Sequence, residues 1–290
     1  MQQIFGIGIV FACVFGGFMF MGGDFSKLWQ PVELLIILGA AVGSLVLGNP
    51  SHVLKEMWVQ LRKVMTLRRR TANNEFQRQL LLLMYELLSL GRDLKALDQH
   101  VEAPHESPLF QRYPLILGDH VLLAFIVDNF RLMAMGKISA HELESVLEQE
   151  LVAIHEDLEQ PSRSLKKISD AMPGFGIVAA VLGVVMAMNS INEGASAGEL
   201  AEKVAAAMIG TFIGIFFCYG VFDPLSSLIK QVVKTDVSDL ECVKVALIAF
   251  AAGKPPLLAI DAGRRLVQLT NKPSFVQLEA WIGELDGAPA

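Results

Sequence analysis

The fold class this sequence predicts is an all-α integral membrane protein, with four transmembrane helices in two hairpins plus a helical cytoplasmic domain. Three observations predict it. Of the 290 residues, 53% are hydrophobic and 19% charged, and mean hydropathy is +0.46, too apolar for an ordinary soluble domain of this size. Four runs, Met1 to Gly23, Leu34 to Ser51, Ala171 to Asn192 and Val204 to Phe222, contain no Asp, Glu, Lys, Arg or His. Each is close to the about 20 residues that cross a ~30 Å hydrocarbon core. Elsewhere the apolar spacing is helical, and no strand alternation or internal repeat appears.

The first run lacks a basic flank and ends in Met21-Gly22-Gly23-Asp24 without a small-residue cleavage pattern, so it reads as a retained helix. A short loop with Lys27 and Trp29-Gln30-Pro31 leads to the second run, and Trp29 suits the membrane interface. Residues 193–203 join the third run to the fourth. The chain thus divides into a first hairpin (1–51), a polar segment (52–170), a second hairpin (171–222) and a polar tail (223–290). Apart from Lys27 and Lys203, every Lys and Arg lies in the polar segment or the tail, which places both of these, and both termini, on the cytoplasmic side.

Within the polar segment, Phe76, Leu80, Leu83, Met84, Leu87 and Leu88 form a helical stripe opposed by Gln77, Arg78 and Glu86. Pro104, Pro108 and Pro114 mark a turn-rich connector. His120 to Met135 repeats the helical pattern, and Ser139-Ala-His-Glu142 resembles a capping box opening a helix to about Glu159. In the tail, Leu225 to Ala251 keeps helical spacing, which reads either as the fourth span running straight out of the membrane as a stiff rod or as a helix of a packed bundle.

The spans carry small residues at helical spacing: Gly176, Ala180, Gly183 and Ala187 in the third, Gly210 and Gly214 around Thr211 in the fourth, and Gly39 and Gly43 in the second. Such faces let helix backbones approach closely, within the chain or against further helices. Pro173 and Pro224 stand at the ends of the second hairpin, and each removes the donor for the carbonyl four residues back, on Ser169 and Gly220. They read either as helix boundaries or as hinges. No span holds an ionisable residue away from its edge, so conduction would need a carboxylate from another chain. Glu33, at the start of the second span, suits the helix dipole there.

Several function classes are set aside. A net charge of -6 without a basic stripe argues against nucleic-acid binding. Cys13, Cys218 and Cys242 are far apart, so neither a disulfide framework nor a zinc site is expected. There is no phosphate-binding glycine loop with its lysine, and His141-Glu142 and His155-Glu156 lack the second histidine of a zinc protease. No catalytic residue, metal or cofactor is therefore expected, and any work must come from an ion gradient.

Gln30-Pro-Val-Glu-Leu34, the run Pro173 to Gly183, Met208-Ile-Gly-Thr-Phe-Ile-Gly-Ile215 with Tyr219-Gly220 and Pro224, and Arg264 to Leu278 with Lys272-Pro-Ser-Phe275 together resemble the motility protein A (MotA) family over nearly the whole chain. The resemblance implies a flagellar stator subunit in the bacterial inner membrane. It implies a homo-oligomer, a pentamer around two copies of a MotB-type single-span, peptidoglycan-anchored partner that supplies the channel Asp. Ala180, Thr211, Gly176, Gly183 and Gly214 would then flank the ion path, and Pro173 and Pro224 would relay protonation. Sodium-type relatives place a threonine where this chain has Ala180, which offers no oxygen ligand, so protons are the expected coupling ion. The resemblance also implies charged contacts with the rotor protein FliG, for which Arg92, Asp98 and Glu150 are the candidates. Here the chain departs from the family pattern, with Leu90 at the usual arginine position and Asp98 in place of a glutamate. The alternatives are an energiser of the ExbB/TolQ kind, which has three spans and no Pro-Ser-Phe tail, and a membrane scaffold without conduction, against which Thr211 and the paired prolines weigh.

Overall fold

Every regular element among the described residues is helical, as the apolar spacing predicts. The computed structural model describes residues 2–65, 74–91, 93–136, 138–192 and 194–287. The first helix, α1 (Gln2–Phe20), ends where Gly22 adopts φ +79, and the Gly23 N–H bonds back to the Phe18 carbonyl at 3.0 Å. That left-handed cap explains the Gly22-Gly23 pair. A single turn, α2 (Phe25–Leu28), is capped by Asp24, and α3 (Pro31–Gly48) opens on Pro31, whose missing N–H costs nothing in a first turn. Then come α4 (Ser51–Met65), α5 (Asn74–Leu90) and α6 (Leu94–Glu102), the last capped by Asp93. The proline-rich connector forms two one-turn helices, α7 (Pro108–Gln111) and α8 (Pro114–Leu117), each with its proline at the start, before α9 (His120–Ala134).

The next helix corrects the sequence expectation. Ser139 and Glu142 do hydrogen-bond reciprocally at its start, but α10 (Ala140–Asn192) continues past Glu159 through both Pro161 and Pro173. A proline removes one donor and strains one turn. Side-chain hydrogen bonds around those turns, described below, hold the helix together. After a Ser196–Glu199 capping box come α11 (Ala197–Phe217), a π-helical turn at Cys218–Phe222, α12 (Asp223–Ala251), α13 (Pro256–Arg264) and α14 (Phe275–Asp286). Three helical stretches, within Phe25–Gly48, Ala140–Asn192 and Ala197–Ala251, are long and apolar enough to cross a membrane, and Phe5–Phe20 is a shorter apolar helix.

The chain forms two compact units, one from residues 1–65 with 159–231, the other from 66–158 with 232–290. In the first, α11 is central. Its Phe212 and Phe216 meet Phe11 and Phe15 of α1, with the Phe11 and Phe216 rings 4.9 Å apart and edge-to-face. Ile37 and Ala41 of α3 pack with Met172, Ala179 and Ile213. Much of the remaining apolar surface is exposed, including Leu35, Leu47, Val181 and Met208. A bilayer suits such an outside.

The second unit is built around α5. Leu80 to Met84 are all buried, as are Leu87 and Leu88, against Ile126, Phe130, Leu143, Val243, Leu247, Ile260 and Leu278. The expected polar face of α5 is therefore only partly polar in its surroundings. Gln77 is buried because its amide donates to Asp239 Oδ1 at 2.6 Å. Glu86 accepts from the Tyr113 hydroxyl at 2.7 Å and pairs with Arg112. The tail motif has a structural role: Arg264 donates to the Pro273 carbonyl and to Asp261, Lys272 donates to the Arg265 carbonyl, and Ser274 and Gln277 cap α14 reciprocally.

Candidate functional site at the paired prolines

The second hairpin is assembled on a seam of glycines. A Cβ at Gly176 would lie 2.8 Å from the Gly210 carbonyl oxygen, one at Gly214 would lie 2.6 Å from that of Met172, and one at Gly183 would lie 2.8 Å from Ala207 Cβ. These distances are too short for any side chain. The small-residue faces of α10 and α11 are thus turned on each other, and Gly176, Gly183 and Gly214 set their separation. Ala180 and Thr211 flank the seam and are half-buried; the Ala180 nitrogen would be 3.5 Å from a Cβ on Gly210. Gly39 and Gly43 differ: among the described residues nothing lies within 4 Å of a Cβ on either, so no described helix uses that G-x-x-x-G face.

The two prolines end up in different local structures. Pro173 lies inside α10, so it is not a helix boundary. Pro224 is the second residue of α12, directly after the π-turn, in which the Asp223 N–H reaches back five residues to the Cys218 carbonyl. A row of ties joins the two helices around them. Ser162 and Ser226 exchange hydroxyl-to-carbonyl hydrogen bonds at 3.0 and 2.9 Å. The Lys166 ammonium lies 2.6 Å from Asp223 and 2.9 Å from Asp170. The Ser169 hydroxyl donates to the Cys218 carbonyl at 3.0 Å. One turn of α10 separates each tie from the next, and the partners descend from 226 to 218, so the two segments run antiparallel.

Electrostatics strengthen the middle tie. Hydrogen bonds to Asp223, and then to Asp170, hold the Lys166 amine well above the usual lysine range, so it remains a cation. Glu159 extends the polar row, pairing with Arg163 at 2.6 Å and Lys230 at 3.6 Å.

The charged candidates on the second unit fare differently from one another. Asp98 is exposed on α6. Glu150 is half-buried on α10 and accepts from Asn129 Nδ2 at 3.0 Å. Arg92 lies outside the described residues. Among the described residues, no hydrogen bond or ion pair joins Asp98 to Glu150.

Two family models match the chain: motility protein A N-terminal over residues 4–94, and the MotA/TolQ/ExbB proton channel family over residues 119–242. The chemotaxis protein LafT of Vibrio parahaemolyticus is 50% identical over 289 residues, 99% of this chain and 100% of that protein. Motility protein A of Escherichia coli is 37% identical over 281 residues, 96% of this chain and 94% of its own. The chain belongs to the motility protein A family. Its fold is similar to that of two solved members of MotA-containing complexes. One is from C. jejuni MotAB, at TM-score 0.72 and 17% identity, covering 92% of this chain and 96% of that one. The other is from the flagellar MotAB stator complex of Bacillus subtilis, at TM-score 0.68 and 22% identity, covering 96% and 98%. The MotA N-terminal match sets the chain apart from the TolQ and ExbB branches that share the second model.

For a MotA-family chain, the side chains that sequence reasoning passed over are those of Ser162, Lys166, Asp223 and Ser226, together with the hydroxyl of Ser169, of which it singled out only the carbonyl. A signal for them existed. Ser162 and Ser169 are seven residues apart, on one helical face, and Lys166 stands four before Asp170. Nothing in the sequence, however, aligns them with 218–226 of another helix.

Proposed function

We propose that this inner-membrane stator subunit passes protons beside the membrane helix of a MotB-type partner and converts their flow into torque on the rotor protein FliG. The chain is a subunit of the flagellar stator, and its function is ion conduction coupled to rotation. The observation that carries the proton reading is chemical: both apolar hairpins lack an ionisable group at mid-span, so the titrating carboxylate comes from the partner. Five copies of this chain around two partner helices would enclose that carboxylate, with both termini in the cytoplasm.

Against the glycine seam, Ala180 offers a protonated Asp an apolar wall, whereas the ionised form favours the Thr211 hydroxyl or water. Protonation thereby changes which surface the Asp prefers. Each proton crossing releases about 2.3 kcal/mol per 100 mV, enough to bias a small step in the helices bearing Pro173 and Pro224. Ala180 supplies no oxygen for a sodium ion that must shed water, which favours the proton.

The test is complementation of a stator-null cell with this chain and its partner. Rotation is expected to persist when sodium is replaced by potassium at constant proton-motive force, and to stop under a protonophore while a sodium gradient remains. Rotation that followed sodium and survived the protonophore would overturn the assignment.

A further inference from the structure

We infer that Ser169 is a positioning residue for torque, holding the Cys218 carbonyl so that the π-turn at Cys218–Phe222 keeps α11 in register with α12; this rests on the stator reading above. The local bonding explains why a device is needed there. In an α-helix each carbonyl accepts from the N–H four residues on. Pro173 denies that donor to Ser169, and Pro224 denies it to Gly220. The chain thus has two weakened turns, and the Ser169 hydroxyl is the tie that runs from the freed turn of α10 to the backbone of the π-turn.

Ser169 is fully buried, and its hydroxyl does not turn back on its own helix, as serines inside helices commonly do. It crosses instead to the Cys218 carbonyl at 3.0 Å. That carbonyl also accepts the Asp223 N–H in the π-turn, so the Ser169 hydroxyl grips the π-bonded group itself. The donor residue is held as well, since the Asp223 carboxylate is paired with Lys166 at 2.6 Å.

A π-turn carries one residue more than the α-helical turn it replaces, and such turns recur at functional sites. Reversion to α-helix would rotate everything before it by about 100° relative to everything after it. Here Thr211, on the glycine seam, lies on the helix before it, and Pro224 lies on the helix after it. Loss of one ordinary hydrogen bond changes the ratio of two such registers by about fivefold.

The experiment uses the full chain co-produced with its partner. Ser169→Ala is expected to reach the membrane at normal levels and to conduct protons normally, measured as acidification of cells that overproduce the stator. The speed gained per added stator at high load should fall severalfold. In the purified complex, hydrogen exchange at the Asp223 amide should rise about fivefold. Ser169→Thr, which keeps the hydroxyl, should restore both. If Ser169→Ala leaves both the per-stator speed and the Asp223 exchange unchanged, the inference is overturned. If Ser169→Ala does not accumulate, Ser169→Cys carries the same measurements. Failure of both to accumulate would show that the residue serves packing alone and would equally overturn it. The exchange measurement does not depend on which ion drives rotation, so its failure is distinguishable from failure of the stator reading.

Discussion

The Lys166 ammonium bridges Asp223 Oδ1 and Asp170 Oδ1, at 2.6 and 2.9 Å, so one cation ties the residue before Pro224 to the helix that carries Pro173. The three side chains are partly exposed, so the attraction is screened and neutral substitutions are tolerated. Lys166→Met should lower swimming speed only slightly. Lys166→Glu places three carboxylates together and should abolish swimming, and adding Asp223→Lys should restore part of it. Equal swimming for wild type and Lys166→Glu, read alongside membrane levels, would remove the pair from coupling. The sign of its pH dependence follows from a raised lysine value. The contribution is fully present below the ordinary lysine value of about 10.4 and fades only as pH rises through the higher folded value. Melting of wild type and Lys166→Met should therefore differ by a constant amount across neutral pH.

The glycine seam makes a sharper prediction. Gly214→Ala puts a methyl 2.6 Å from the Met172 carbonyl oxygen, so α10 and α11 must separate, at a cost of about 1–3 kcal/mol. Membrane accumulation and the melting temperature of the purified complex should both fall. Gly39→Ala meets nothing within 4 Å in this chain and removes an unneeded freedom inside α3, so accumulation should be unchanged. Similar losses in the two variants would mean that a neighbouring subunit packs on Gly39 as closely as α10 packs on α11.

What the sequence made legible follows from the range of each signal. Charge-free runs and the 3.6-residue period are local, and they located α1, α3, α9, α11 and the apolar half of α10. Caps are equally local, which is why Ser139 with Glu142 marked the true start of α10. The end expected near Glu159 was wrong because Pro161 and Pro173 are accommodated by partners distant in sequence, Ser226 for Ser162 and Cys218 for Ser169. Gln77 looked solvent-facing for the same reason, since its partner Asp239 is 162 residues away. The small-residue faces were visible, but whether they meet each other, as Gly176 and Gly214 do, or stay open, as Gly39 and Gly43 do, is a tertiary fact.

In the second unit, Asp261 sets an acid limit. Burial raises its carboxyl, but hydrogen bonds from Arg264 and Arg265 outweigh that and hold it below the usual aspartate range. A depressed carboxylate contributes stability above its unfolded value of about 3.9, and the contribution is lost as pH falls through the lower folded value. Asp261→Asn should therefore cost about 2 kcal/mol at neutral pH, where it leaves the Arg264 guanidinium without its charge partner. The difference in melting temperature between wild type and variant should shrink as pH drops below about 4. A gap that stayed constant into acid would mean that packing, and not ionisation, is what the substitution removes.

The charges proposed for the rotor contact divide by burial, and this allows charge and structure to be separated. Asp98 is exposed, so Asp98→Lys should leave stability within about 0.5 kcal/mol of wild type. Glu150 is half-buried and accepts from Asn129, itself buried, whose amide also donates to the Phe125 carbonyl at 2.8 Å. Glu150→Gln keeps an acceptor for Asn129 while removing the charge, so it should fold normally; Glu150→Lys removes both and should cost about 1 kcal/mol. If these charges meet oppositely charged groups on FliG, each is solvated and screened on its own, and single neutralisations should slow swimming only mildly. Reversal at Arg92, Asp98 and Glu150 together should stop it, with membrane levels no lower than those of Glu150→Lys alone. Matched reversal on FliG should then restore rotation. Swimming that survived the triple reversal would move the rotor contact to other charges. A triple variant that failed to swim and was not restored by any FliG reversal would mark the loss as one of folding around Asn129.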